Sequence, residues 1–215
     1  MIDITTQIGA IHREVATKPA EGGEVVSALL RRHYDAPIED VWAAVTDPER
    51  VKRWFLPVSG DLREGGDFQL EGNAGGRILR CDPPRLLRAT FGGETSRVEV
   101  RLTTDGDAAT TLELEHTVPL AFAGSGAGAL YVGPGWDGTL MALGRFLAGD
   151  HAHDPGAAEG SPEGLEFSRQ SVQAWTAAIE ASGTAAPDDI AAAVEASLAQ
   201  FAPDPGDAGD HNGHP

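Results

Sequence analysis

The stretch from Arg97 to Thr117, "RVEVRLTTDGDAATTLELEHT", constrains the chain more than any other. Val98, Val100 and Leu102 alternate with Arg97, Glu99 and Arg101, and Leu112, Leu114 and His116 alternate with Glu113, Glu115 and Thr117. A period of two puts successive side chains on opposite faces of a strand. "TDGD" between the runs is a hairpin signal. Two antiparallel strands with one wet and one dry face follow. The runs "GDFQLEG" (66–72), "GGRILRCDPP" (75–84) and "RLLRATFGG" (85–93), broken by Gly or Pro, extend the same pattern. "VVSALLRRHY" (25–34) is rich enough in Val and Leu to be the first strand of the sheet.

Between that first strand and the others the period changes. In "DAPIEDVWAAVTDPERVKRWFLP" (35–57), Pro37 is placed for a first helical turn, where its missing N–H costs nothing. Asp35 lies just ahead, where it can accept from the free amides. Ile38, Val41, Trp42 and Val45 then fall on one helical face. Asp47-Pro48 repeats the start signal for a second, short helix carrying Val51, Trp54 and Phe55. Residues 121–135 are a glycine-rich connection, followed by a helix of about four turns with Trp136, Leu140, Leu143 and Leu147 on one face. Two further helical runs are expected at 165–182 and 187–201, and 202–215 reads as a disordered tail.

Charge and cysteine content narrow the function. The net charge is −17, with 22 acidic and 15 basic side chains in residues 1–150 (−7) and 11 and 1 in 151–215 (−10). Such a chain repels phosphate backbones and anionic lipid surfaces. Arg50, Lys52 and Arg53 are too few to make a basic patch. Nucleic acid and membrane are therefore not expected as partners. Cys81 is the only cysteine, which excludes an internal disulfide and a Cys-based metal cluster. With no secretory leader and no long apolar run, the expectation is a cytoplasmic protein.

The quoted stretch at 35–57, then "GDLREGGDF", "CDPPRLLRATF", "TTLELEHT" and "GWDGTLMALGRFL", in that order, resembles the heat-shock protein 90 ATPase activator-like branch of the START-related (SRPBCC) superfamily over about residues 25–149. "FSRQSVQAWTAAIEASG" is similar to a C-terminal extension in some members. The resemblance implies an α+β helix-grip fold: a curved antiparallel sheet wrapped around a long C-terminal helix, with an extra C-terminal helical extension and an apolar cavity between sheet and helix. Members of the superfamily bind lipids, sterols, polyketides or aromatic compounds there, and some catalyse cyclisation or hydrolysis. The expected organisation is an N-terminal arm or strand (1–24), the helix-grip domain (25–149), a linker (150–164), the helical extension (165–201) and the tail.

On that plan the paired helices cap one end of the sheet. Trp42 is expected in the core, and Trp54 and Phe55 in the core or at the cavity mouth. His116 shares the dry face with Leu112 and Leu114. It is either a ligand anchor or acid/base, and the candidate catalytic residue, or a structural histidine bonded to backbone. Arg80 lies inside with Ile78 in one register, where it would hold a carboxylate. In the other register Arg77, Leu79 and Cys81 lie inside. Phe68, Leu114, Tyr131, Trp136, Leu140 and Leu143 complete the candidate ligand-binding set. "GSGAG" (124–128) lacks the central serine of a nucleophile elbow, and "HAHD" (151–154) and "HNGH" (211–214) read as solvated surface histidines. The expected function is binding of a small hydrophobic or aromatic molecule without a cofactor. A cyclase or hydrolase in the same cavity, a chaperone cofactor or other protein partner, and the oligomeric state all stay open.

Overall fold

A computed structural model describes residues 3–150 and 160–203. The chain opens with a short helix α1 (Ile4–Gly9), capped by the Asp3 carboxylate on the Thr6 amide, and a long strand β1 (Ile11–Ala20). Strand β2 (Gly23–Tyr34) pairs antiparallel with it, from Ile11 opposite Arg32 to Ala20 opposite Gly23. Helices α2 (Ile38–Thr46) and α3 (Pro48–Val51) then carry the chain to the far edge of the sheet. It returns strand by strand through β3 (Val58–Gly60), β4 (Asp67–Leu70), β5 (Gly75–Asp82), β6 (Leu86–Thr90), β7 (Arg97–Thr104) and β8 (Thr110–Pro119). The spatial order is β1-β2-β8-β7-β6-β5-β4-β3. One long crossover and a meander thus make an eight-stranded antiparallel curved sheet, the helix-grip fold of the expectation.

The quoted alternation sets the sheet's faces. Val98, Val100 and Leu102 stand opposite His116, Leu114 and Leu112, so the two dry rows coincide. Across the sheet, Ala28 of β2 extends the row of His116, and Ala89 and Ile78 of β6 and β5 continue it beyond Val98. These apolar residues are buried, apart from Val100, which is half-buried.

After helix α4 (Leu120–Ala123) and a 3-10 segment (Gly126–Tyr131), helix α5 (Gly133–Leu147) closes the inner face with Leu140, Leu143 and Phe146. The glycine-rich connection therefore holds two short helical segments that its composition hid. The Tyr34 hydroxyl donates to the Leu140 carbonyl at 2.9 Å and ties β2 to α5.

Helices α6 (Pro162–Ser182) and α7 (Pro187–Phe201) pack on this body. Val172, Trp175, Ile179, Ile190 and Ala193 belong to the same apolar core. Gly133 makes this docking close: a Cβ there would stand 2.3 Å from the Trp175 ring. The Ser197 hydroxyl donates to the Leu130 carbonyl at 2.8 Å. "HAHD", "HNGH" and most of the tail and linker lie outside the described residues.

At the helix starts one expectation is corrected. Pro37 itself takes the N-cap position of α2 with no side-chain cap, and the Asp35 side chain is exposed, 3.5 Å from His33. A proline ahead of the helix fixes an extended backbone that turns Asp35 away from the amides. Asp47 does cap α3, accepting from the Glu49 amide at 2.9 Å.

Candidate functional site

His116 projects from β8 into the space under α5 and is 5% exposed. Two side chains hold its ring. The Trp136 indole Nε1 donates to Nδ1 at 3.0 Å, and Nε2 lies 2.7 Å from the Ser96 Oγ. The histidine is thus bonded to side chains, not to backbone. Burial pushes its pKa down from 6.5 to about 4, so the ring is neutral at physiological pH.

Phe91 completes an aromatic cluster. Its ring centroid is 5.9 Å from the imidazole, nearly perpendicular to it, and 5.2 Å from the Trp136 ring. The imidazole and indole centroids are 5.9 Å apart at 77°. Offset and edge-to-face contacts of this kind add stabilisation beyond the area buried. Phe91, Ser96 and Trp136 are half-buried, so the cluster reaches from the core toward solvent.

Local structure explains why these four residues meet. Phe91 follows Ala89 by two residues and Ser96 precedes Val98 by two, so both prolong the dry face past the ends of β6 and β7. The Phe91 amide donates to the Ser96 carbonyl at 3.0 Å and pins the turn. Trp136, in the first turn of α5, descends on them from the opposite layer. Ser96 and Phe91 were missed in the sequence because the glycine-rich turn 92–95 interrupts the alternation. Extending each strand's alternation by one step, forward from Ala89 and back from Val98, would have found them.

The other sequence-level candidates separate into groups. Leu114, Leu140 and Leu143 line the same inner face and are buried. Trp54 is buried, with its indole donating to the Ala44 carbonyl at 2.9 Å and its ring stacked on Phe55 at 5.6 Å. That pair clamps α2 to the segment after α3 and does not touch His116. Phe68 is half-buried on β4, outside the core cluster. Tyr131 is 46% exposed. Arg80 points to solvent and pairs with Asp82 at 3.7 Å. A register shift between Ile78 and Arg80 breaks the period of two, keeping Ile78 inside while Arg80 turns out.

Two other polar features lie apart from the cluster. Asp137, fully buried beside Trp136, accepts from Arg13 Nε (3.1 and 2.9 Å) and from the Trp175 indole (3.1 Å) and the Ser171 hydroxyl (2.5 Å). Burial pushes its carboxyl up to about 6, against the pull of Arg13 and the two other donors. A recess of about 370 Å³ between α3 and the end of α5 is lined by Arg50, Arg53 and Phe146 among others. Among the described residues no group of three or more His, Cys, Asp or Glu could hold a metal ion, and no helix is long and apolar enough to cross a membrane.

The family model described as activator of Hsp90 ATPase homolog 1-like protein matches residues 35–148. The crystal structure of CalU16 from Micromonospora echinospora is 42% identical, covers 79% of this chain and 98% of its own, and superposes with a TM-score of 0.67. Its solution structure gives 41% identity, coverage of 80% and 96%, and a TM-score of 0.68. The likeness to CalU16 thus extends beyond the stretch that the family model matches. A conserved protein of unknown function from Enterococcus faecalis, EF2215, shares the fold at 15% identity, with coverage of 83% and 93% and a TM-score of 0.55. No curated protein matches the chain.

Proposed function

The chain belongs to the family of activator of Hsp90 ATPase homolog 1-like proteins, and from that premise we propose that it binds a small hydrophobic or aromatic ligand between the sheet and α5. The observation that carries this reading is the Phe91–His116–Trp136 cluster with Ser96. It sets one polar hydrogen-bonding group among half-buried rings on the inner face. Apolar walls with a few placed polar groups are the usual make-up of a small-molecule site.

The arrangement favours binding over catalysis by a Ser–His pair. To activate Ser96, His116 would have to accept the hydroxyl proton at Nε2. An indole N–H can only donate, so Trp136 makes Nδ1 the acceptor and leaves the proton on Nε2. The imidazole is also a weak base at a pKa of about 4. A docking role for the C-terminal helices finds less support, because Val172, Trp175 and Ile179 are buried within the fold.

The test is a thermal-shift screen against lipids, aromatic polyketides and hydrophobic metabolites, read alongside tryptophan fluorescence. A ligand at about 100 times its Kd stabilises by about 2.7 kcal/mol. The expected hit raises the melting temperature, changes the tryptophan emission and weakens in His116→Ala. A hit that binds His116→Ala unchanged would move the site elsewhere.

A further inference from the structure

The chain Trp136–His116–Ser96 has a direction. The indole donates to Nδ1, the neutral ring carries its one proton on Nε2, and that proton goes to the Ser96 Oγ. Ser96 therefore accepts from Nε2–H through one of its own oxygen lone pairs and keeps its O–H hydrogen. Among the described residues His116 is the only hydrogen-bond partner of that hydroxyl. The O–H is left on a half-buried residue of the cluster in which the Phe91 and Trp136 rings pack on the imidazole, on the face proposed above to hold a ligand.

We propose that the Trp136–His116–Ser96 chain selects a ligand that presents a hydrogen-bond acceptor, such as the carbonyl oxygen of an aromatic ketone or quinone, to the Ser96 hydroxyl. The proposal rests on the ligand-binding reading and adds the polarity of the group recognised. An acceptor completes the bonding of Ser96. An apolar group of the same shape covers the O–H without pairing it, which is penalised in a partly desolvated site. The aromatic part follows from the Phe91 and Trp136 rings, which pack on the same imidazole that holds the hydroxyl, each with its centroid 5.9 Å away.

Two probes of equal shape separate the possibilities: 2-acetylnaphthalene, and 2-isopropenylnaphthalene, in which a methylene group replaces the carbonyl oxygen. Titrated into the full chain by calorimetry, the ketone is expected to bind about tenfold tighter than the alkene, the worth of one hydrogen bond. In Ser96→Ala the two affinities should come together. Equal affinities in the unmodified protein, or a preference that survives Ser96→Ala, leave the ligand site standing and overturn the selectivity. Binding of neither probe counts against the site itself and takes the selectivity with it. A second measurement does not depend on any variant folding. Imidazole nitrogen NMR of the ligand-free protein at neutral pH should show His116 protonated at Nε2 and bare at Nδ1. The opposite tautomer overturns the proposal.

Discussion

At the scale of single residues, His116 concentrates the physics of the site. A buried imidazole is held neutral because a charge there would lose its water and find only an indole and a hydroxyl as partners. Its folded pKa of about 4 lies below the value of 6.5 expected in the unfolded chain. Between those values the unfolded chain holds more protons, so this group's contribution to stability is lost as pH falls from 6.5 toward 4. Against His116→Gln, which cannot titrate, the protein should lose about 2–3 kcal/mol of relative stability between pH 7.5 and 4.5. Urea denaturation of both proteins at a series of pH values measures this, and parallel curves would contradict it. The alternation on β8 made the inward direction of His116 legible. Its partners were not, because Ser96 and Trp136 lie 20 residues away on either side and meet it only when β7 and α5 are in place.

At the scale of elements, two contacts fix how α6 sits on the domain. Asp137 joins α5 to β1 through Arg13 and to α6 through Ser171 and Trp175. Asp137→Asn removes the charge and leaves the Arg13 guanidinium, 7% exposed, without its counter-ion. Breaking one side of a buried pair is expected to cost about 3–5 kcal/mol. Ser171→Ala, which removes one of several donors, should cost about 1–2 kcal/mol. Chemical denaturation ranks the two variants, and equal small losses would show that the ion pair does not anchor the helix. Gly133→Ala is the second probe. Helix propensity alone favours alanine by up to about 1 kcal/mol. The new Cβ, however, would stand 2.3 Å from the Trp175 ring, and overpacking costs about 1–3 kcal/mol. Destabilisation is therefore expected, and a stabilised variant would contradict the docking described. Helix periodicity made α5, α6 and α7 legible, as the apolar spacings were strong. The register shift in β5 was not, since a bulge is set by pairing with β6 and leaves no mark on "RILRC".

At the scale of the whole molecule, the strand order follows from one crossover, which a family resemblance conveyed and composition could not. The two layers meet along the row Ala28, His116, Val98 and Ala89, and the aromatic cluster is where that row nears the surface. The recess beside Arg53 lies elsewhere. Arg53→Ala should therefore leave the affinity for 2-acetylnaphthalene within about twofold, since additive behaviour is expected for separate sites. A large loss, seen by calorimetry, would relocate the ligand to that recess.

The four tryptophans map the central claim directly. Trp136 lies in the cluster, Trp54 is bonded to the Ala44 carbonyl, Trp175 to Asp137, and Trp42 packs on the core from α2. Their indole N–H resonances, followed during a titration with 2-acetylnaphthalene, should show one saturable shift at Trp136 while Trp54 and Trp175 hold their positions. Saturable binding that leaves Trp136 unmoved, or no binding at all, would contradict a ligand site between the sheet and α5.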